Sequence, residues 1–188
     1  MTLAEFLESK APHIELPQLS RKAIVHGHCH QKAVMGMSAE QKVLKRMGLD
    51  FQILDSGCCG MAGSFGFKDG DHYDVSIKVG ELVLLPAVRK APKETLILAD
   101  GFSCREQILQ TTDRHGLHLA QALQMALRDD QRVGPDVPGW EYPERRYVNP
   151  PALHAPFTRK DAAVLFGAGA LLLGGAATWL LSRRRRFR

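Results

Sequence analysis

The sequence predicts an α/β fold in which a small parallel sheet with flanking helices is followed by a C-terminal hydrophobic helix. The first observation is that three short, apolar, partly β-branched runs, at residues 23–28, 51–55 and 95–100, read as buried strands. The second is that helical patterns separate these runs, which is the order of elements in a parallel sheet. The third is an uncharged stretch of twenty residues, 162–181, near the C-terminus.

Helices are predicted between and after the strands. Residues 38–47 follow a capping residue, Ser38, and stop at Gly48. Residues 73–89 predict one long helix, since Val75, Val79 and Leu82 are spaced for one buried side. Two more helices are predicted at 104–111 and 117–128.

The chain divides into four predicted parts. Residues 1–128 form the cysteine-rich domain, and residues 129–161, which hold six of the ten prolines, form an extended linker. At roughly 1.5 Å per residue, a helix over 162–181 spans the roughly 30 Å hydrocarbon layer, which predicts a transmembrane helix. The alternative is a buried or amphipathic helix. Residues 182–188 form an arginine-rich tail suited to anionic lipid head groups.

The formal charge of +5 is located almost entirely in that tail, which holds five arginines. Without them the chain has 20 basic and 20 acidic residues. A balanced body lacks the clustered basic face that binds nucleic acid, so nucleic acid is not an expected partner. The N-terminus lacks the pattern of a secretory signal, and we expect the main domain in the cytoplasm, anchored to the membrane through its C-terminal helix.

All four cysteines follow predicted strands, and we expect their thiols to meet at one edge of the sheet: Cys29, Cys58, Cys59 and Cys104. Four thiolates are the number that a 4Fe-4S cluster needs. The adjacent pair favours a multi-iron cluster over zinc, because structural zinc sites use paired C-x-x-C knuckles and the sequence has none. Two other interpretations are four small buried side chains and a redox-active thiol pair at Cys58-Cys59.

Histidines and glycines surround these cysteines in the sequence. We expect His28 and His30, the neighbours of Cys29, to line the metal site, and His26 to be structural. His72, His115 and His118 are expected at helix ends or on the surface. Gly60, like the other glycines around the pair, permits a tight backbone whose amides point at sulfur.

At these residues the chain resembles the cysteine-rich CCG domain found in a subunit of heterodisulfide reductase, in the iron-sulfur subunit of anaerobic glycerol-3-phosphate dehydrogenase and in lactate-utilisation proteins. That pattern is a cysteine, then Cys-Cys-Gly, then Cys-x-x-Cys. Cys29 matches the first element, Cys58-Cys59-Gly60 the second, and Cys104 the end of the third. Gly101 stands where the first cysteine of the third element would be, so four of the five family ligands remain.

Longer strings are similar to the C-terminal end of fused FAD-linked oxidases of the D-lactate or D-2-hydroxyglutarate dehydrogenase type, in which the Gly101 position is ordinarily glycine. The strings begin at His26, Asp55 and Ala99, and the similarity spans residues 2–128. It implies an iron-sulfur electron-transfer module of an oxidoreductase, with FAD on a flavoprotein partner and a quinone or another acceptor at the membrane. The chain has no flavin-binding half of its own, so we expect no catalysis by it alone. The alternative is a membrane-tethered docking scaffold whose thiol site holds zinc or is empty.

Overall fold

Three short parallel strands form the centre of the computed structural model, which describes residues 1–128 and 142–148. The strand order is β2-β1-β3, so the first strand lies in the middle. Lys22 lies opposite Asp50, and Ala23 lies opposite Leu96. The predicted parallel sheet with flanking helices is therefore confirmed. The strands are β1 (Lys22–Val25), β2 (Asp50–Ile53) and β3 (Leu96–Leu98).

Helices precede, separate and follow the strands, together with one 3-10 turn at Phe65–Phe67. The predicted helix at 38–47 is confirmed, and the chain leaves it through Gly48, whose φ of 73° is readily adopted by glycine. The helices of the described residues are α1 (Leu3–Ser9), α2 (Cys29–Val34), α3 (Ser38–Arg46), α4 (Asp71–Gly80), α5 (Leu84–Lys90), α6 (Phe102–Thr111), α7 (Leu119–Leu127) and α8 (Arg145–Val148).

The sheet carries a separate apolar cluster on each face. Side chains alternate along a strand, so Ala23 and Val25 of β1 join one cluster while Ile24 packs against the other. The first cluster includes buried residues of α1, α3 and α7, and the second includes buried residues of α5 and α6. Cys59 and Cys104 belong to the second cluster, which places them next to the apolar interior.

The prediction of one helix over 73–89 is wrong, because the chain forms two helices with a break at residues 81–83. Pro86 lies in the first turn of α5, where its missing N–H costs nothing. In a continuous helix its ring would clash with the carbonyl of Leu82. The predicted buried face is also wrong, since Val75 and Leu82 are exposed and Ser76 is buried.

Helix α1 was not predicted, although the sequence carries its signal. Thr2 and Glu5 form a capping box: the Glu5 amide donates to the Thr2 hydroxyl at 3.2 Å, and the Thr2 amide donates to the Glu5 carboxylate at 2.7 Å. Ala4 and Leu7 then bury one face of the helix.

A buried ion pair ties residues 142–148 to the domain. The Arg114 Nε donates to Glu144 Oε1 at 2.7 Å, and neither side chain is more than 3% exposed. The Arg114 guanidinium also donates to the carbonyl oxygens of Pro92 and Thr95. This part of the predicted linker thus packs against the domain.

Replacing Glu144 with glutamine leaves the Arg114 charge buried without its counter-ion, and we expect the free energy of unfolding to fall by about 3 kcal/mol. The matched control is Glu81→Gln, which breaks an exposed ion pair with Arg89 and should cost less than about 1 kcal/mol. Urea denaturation of both variants checks this difference. Equal losses would show that the Arg114–Glu144 pair does not hold the segment.

Among residues 1–128 and 142–148, no helix is long and apolar enough to cross a membrane. The predicted transmembrane helix at 162–181, the tail at 182–188 and the rest of the predicted linker lie outside the described residues.

Candidate functional site

The four cysteines all lie just beyond the carboxyl ends of the strands. Cys29 is the first residue of α2, which follows β1 after three residues. Cys58 and Cys59 lie in the loop after β2, and Cys104 lies in the first turn of α6, after β3. Because the strands are parallel, these positions share one edge of the sheet.

The thiols form two pairs, and all four are free thiols in the structure. Cys29 and Cys58, the outer pair, are half-buried, with 3.9 Å between their sulfur atoms. Cys59 and Cys104, the inner pair, are joined by a side-chain hydrogen bond and are buried, with exposed fractions of 3% and 1%. The vicinal residues Cys58 and Cys59 therefore belong to different pairs.

The inner pair shares one proton. The Cys104 thiol donates to the Cys59 sulfur, and this hydrogen bond is the main reason that the pKa of Cys59 falls to about 6. The same bond, together with burial and the negative charge of the other thiolates, raises the pKa of Cys104 far above its usual range. At neutral pH the site therefore holds a thiolate at Cys59 while Cys104 keeps its proton.

Backbone amides of the loop after β2 also point at sulfur. The Gly60 amide donates to Cys58 Sγ at 3.3 Å, and the Met61 amide donates to the Cys59 sulfur, which helps to lower the pKa of that thiol. Burial is the larger influence on Cys58 and raises its pKa. The predicted role of the loop's amides toward sulfur is thus realised at both cysteines.

Ser76 and Gln107 hold this loop in place, although no sequence pattern pointed to either. A Cβ on Gly60, whose φ is 98°, would lie 2.1 Å from the Ser76 carbonyl oxygen. The Gln107 Nε2 donates to that same carbonyl at 3.2 Å, and both side chains are buried. Helices α4 and α6 therefore fix the Cys-Cys loop through buried polar atoms.

His26 connects the loops after β1 and β2. Its Nδ1 lies 2.7 Å from the Ser56 hydroxyl oxygen, and the Lys32 ammonium donates to the Ser56 carbonyl. Burial, and then the nearby charges of Lys32 and His28, lower the pKa of His26 to about 4. The side chain is neutral at physiological pH and has the structural role predicted for it.

A polar cavity of about 390 Å³ lies on the other side of His28. Beside it the Gln31 Nε2 donates to the buried Glu40 carboxyl at 2.8 Å. Burial is the main reason that the pKa of Glu40 rises to about 7, and the charge of Asp100 adds to it. The cavity is lined by Met1, Thr2, Leu3, His28, Gln31, Asp100, Gly101 and His118.

His26 and Glu40 have opposite effects on stability over the same range of pH. The contribution of neutral His26 is complete above its unfolded pKa of 6.5 and is lost as the pH falls toward 4. The contribution of protonated Glu40 is complete below its unfolded pKa of 4.5 and is lost as the pH rises toward 7. Each shift corresponds to about 3 kcal/mol, so the two largely cancel in the native chain.

The variant Glu40→Gln should reveal the His26 contribution. Between pH 4.5 and 6.5 its free energy of unfolding should rise by about 2 kcal/mol more than that of the native chain. Urea denaturation at several pH values measures this difference. Parallel pH profiles for the two proteins would contradict the burial effects at Glu40 and His26.

Of the predicted lining residues, the structure brings Gly60, Gly101 and His28 to the thiols, but not His30. A Cβ on Gly101 would lie 2.4 Å from the His28 ring and 2.9 Å from Cys104 Sγ. His30 is exposed. Among the other histidines, His118 is the N-cap residue of α7, where its Nδ1 accepts from the Ala120 amide at 3.0 Å.

The donor set suits a thiolate-bound metal group in its chemistry, since all four donors are soft sulfur atoms at one edge of the sheet. In the part of the chain that the structure describes, no three or more His, Cys, Asp or Glu side chains are already placed around one point as for a metal ion. The arrangement is instead two thiol pairs, and every cysteine influences the pKa of Cys104. The four sulfur atoms thus belong to one electrostatically connected site.

Comparisons with known proteins match about half of the chain. The chain is 33% identical over 99 residues to D-2-hydroxyglutarate dehydrogenase of Escherichia coli strain K12, which is 52% of this chain and 10% of that protein. It is 32% identical over 117 residues to the C-type subunit of anaerobic glycerol-3-phosphate dehydrogenase from the same strain, which is 58% of this chain and 28% of that one. A D-2-hydroxyglutarate dehydrogenase of Pseudomonas putida is 34% identical over 104 residues, 54% of this chain and 10% of that protein.

These relatives include two of the protein types that the sequence motifs resemble, and that part of the resemblance is confirmed. The chain spans only about a tenth of the D-2-hydroxyglutarate dehydrogenases and 28% of the glycerol-3-phosphate dehydrogenase subunit. No family model matches the chain, and no solved structure matches it. Its assignment to the CCG domain stays a prediction.

Proposed function

We propose that the chain is an electron-transfer module that holds an iron-sulfur cluster, of the 4Fe-4S type, through Cys29, Cys58, Cys59 and Cys104. The observation that carries the proposal is the gathering of all four cysteines at one edge of the sheet. The short sulfur separation in the outer pair and the hydrogen bond in the inner pair support it.

Such a cluster would supply reversible one-electron chemistry. The chain's contribution is to place and tune the sulfur donors. Cys59 is already a thiolate at neutral pH, and the amides of Gly60 and Met61 offset negative charge on the sulfur atoms. The apolar cluster around Cys59 and Cys104 excludes water from the inner side of the site. Hydrogen bonds to sulfur and burial are the two properties by which a protein sets a cluster's potential.

The proposed electron donor is a flavin-dependent 2-hydroxy-acid dehydrogenase or oxidase, with FAD bound by that partner. Support comes from the similarity to D-2-hydroxyglutarate dehydrogenases and to a dehydrogenase subunit, of which the chain covers only small parts. In this proposal the chain passes electrons on and oxidises no hydroxy acid by itself.

The acceptor is proposed to lie at the membrane, where the uncharged stretch 162–181 would anchor the chain near a quinone or another acceptor, with the main domain in the cytoplasm. Replacing Leu171, Leu172 and Leu173 with aspartate should release the full chain from the membrane fraction, because a charge at the centre of a membrane helix is costly. Unchanged membrane association of this variant would contradict the anchor.

Metal analysis of the full chain after anaerobic purification tests the function. The proposal predicts a coloured protein with about four iron atoms per chain and broad visible absorbance that bleaches on reduction. A colourless protein, with zinc or without metal, would contradict it and favour the docking scaffold.

A second candidate function is thiol-disulfide exchange, favoured by the 3.9 Å between the half-buried sulfur atoms of Cys29 and Cys58. In this case the outer pair would be oxidised to a disulfide, passing two electrons and two protons to a disulfide substrate. Incubation of the metal-free reduced chain with oxidised glutathione should then produce that disulfide, detectable by peptide mass mapping. Unmodified Cys29 and Cys58 would exclude the exchange.

A further inference from the structure

Gly101 is a glycine for lack of space. Its φ of −67° and ψ of 128° are extended backbone that any residue adopts, so no conformational demand requires glycine there. A Cβ at this position would instead lie 2.4 Å from His28 Cδ2, 3.1 Å from His28 Cγ and 2.9 Å from Cys104 Sγ. The missing side chain at 101 is thus what allows the imidazole of His28 and the sulfur of Cys104 to approach the same point.

The His28 side chain has no local task that would explain its position. His28 is the N-cap residue of α2, but its imidazole accepts no capping hydrogen bond. Its backbone carbonyl, by contrast, accepts from the Lys32 amide at 2.9 Å. The backbone of His28 therefore starts the helix while the ring is left to lie against Gly101 and Cys104.

The neighbouring histidines differ from His28 in this respect. His26 is buried and contacts the Ser56 hydroxyl, and His30 is exposed. The ring centroids of His28 and His30 are 6.5 Å apart, with the ring planes inclined at 66°. Of the three histidines around Cys29, His28 is the one whose ring packs against the thiol site.

We propose that His28 is a fifth donor of the thiol site, whose imidazole nitrogen binds the same metal group as the four cysteines, and that Gly101 is glycine to leave room for this ring. The assignment rests on the proposed function and names a ligand beyond the four cysteines. Imidazole is a suitable ligand for iron and is neutral, so it adds a donor without adding negative charge to a site already rich in thiolates.

Pulsed electron paramagnetic resonance of the reduced full chain, grown with isotopically labelled histidine, tests the assignment directly. The native chain should show coupling between the electron spin and a histidine nitrogen. The variant His28→Ala should lose it while keeping iron, and the matched control His30→Ala should retain it. Mössbauer spectra of protein grown on isotopically enriched iron give a second readout in any spin state, since a nitrogen-bound iron would form a distinct doublet that His28→Ala removes.

The outcomes separate this assignment from the proposed function. Iron-loaded protein whose two spectra are the same in the native chain and in His28→Ala would overturn the role of His28 and leave the function standing. Protein that binds no iron would overturn both.

The space at Gly101 has its own test. Gly101→Ala should displace the ring, so that the histidine coupling is lost and the melting temperature falls. Adding His28→Ala should restore much of the melting temperature, because the smaller side chain removes the main clash. The matched control is Gly57→Ala in the Cys-Cys loop, where a Cβ meets nothing within 4 Å. A Gly101→Ala protein with native coupling and melting temperature would contradict the close packing of His28 against Gly101.

Discussion

Serine in place of Cys59 is expected to abolish iron binding by the full chain. Cys59 is the thiol that the structure holds as a thiolate, through the hydrogen bond from Cys104 and the Met61 amide. A serine hydroxyl fits the same space but stays protonated at neutral pH, so it offers no anionic sulfur to the metal. Residues that only orient metal ligands already contribute about 10- to 100-fold to affinity, so losing a ligand should cost more than about 100-fold.

Iron content and visible absorbance after anaerobic purification measure this effect, and thermal denaturation shows whether the variant still folds. The control is Ser64→Ala, a change of an exposed side chain in the same loop, which should leave both readouts unchanged. Normal iron content in a folded Cys59→Ser protein would exclude Cys59 as a ligand.

Alanine in place of Gly60 is expected to destabilise the domain by about 4 kcal/mol. The φ of 98° is strained for any residue with a side chain, which costs about 1–3 kcal/mol. In addition, the new Cβ would lie 2.1 Å from the Ser76 carbonyl oxygen, which is backbone and cannot rotate away, and overpacking of this kind costs about 1–3 kcal/mol more.

Gly63→Ala is the matched control, because Gly63 also has a positive φ, 67°, but a Cβ there meets nothing within 4 Å. This control should lose only about 1 kcal/mol. Urea denaturation separates the two effects. If both variants lose the same stability, the close approach of Gly60 to α4 is not what fixes the loop.

Much of the fold could be predicted because the chain marks it locally. Runs such as the one ending at Val25 are short, apolar and followed by glycine, and their order with helices between them specifies a parallel sheet. The break between α4 and α5 was missed because helical periodicity continues through it, and only the position of Pro86 indicates that the chain cannot stay helical. Helix α1 was missed although its capping box was visible in the sequence.

The site was predictable at the level of which residues follow which strand, but its pairing was not. Adjacent residues in the sequence, Cys58 and Cys59, take different partners because the backbone turns between them, and no pattern of spacing specifies that. The contact of Gly60 with Ser76 and the approach of His28 to Gly101 depend on tertiary packing between distant segments. Such contacts leave no local signature beyond the glycine itself.

Native mass spectrometry of the full chain, purified anaerobically and kept intact, tests the central claim most directly, namely that the four thiols jointly hold one iron-sulfur group. We expect one chain carrying the mass of a single iron-sulfur cluster, with no partly loaded form in which one thiol pair alone is occupied. A chain found only at its metal-free mass, or carrying one zinc ion, would contradict it.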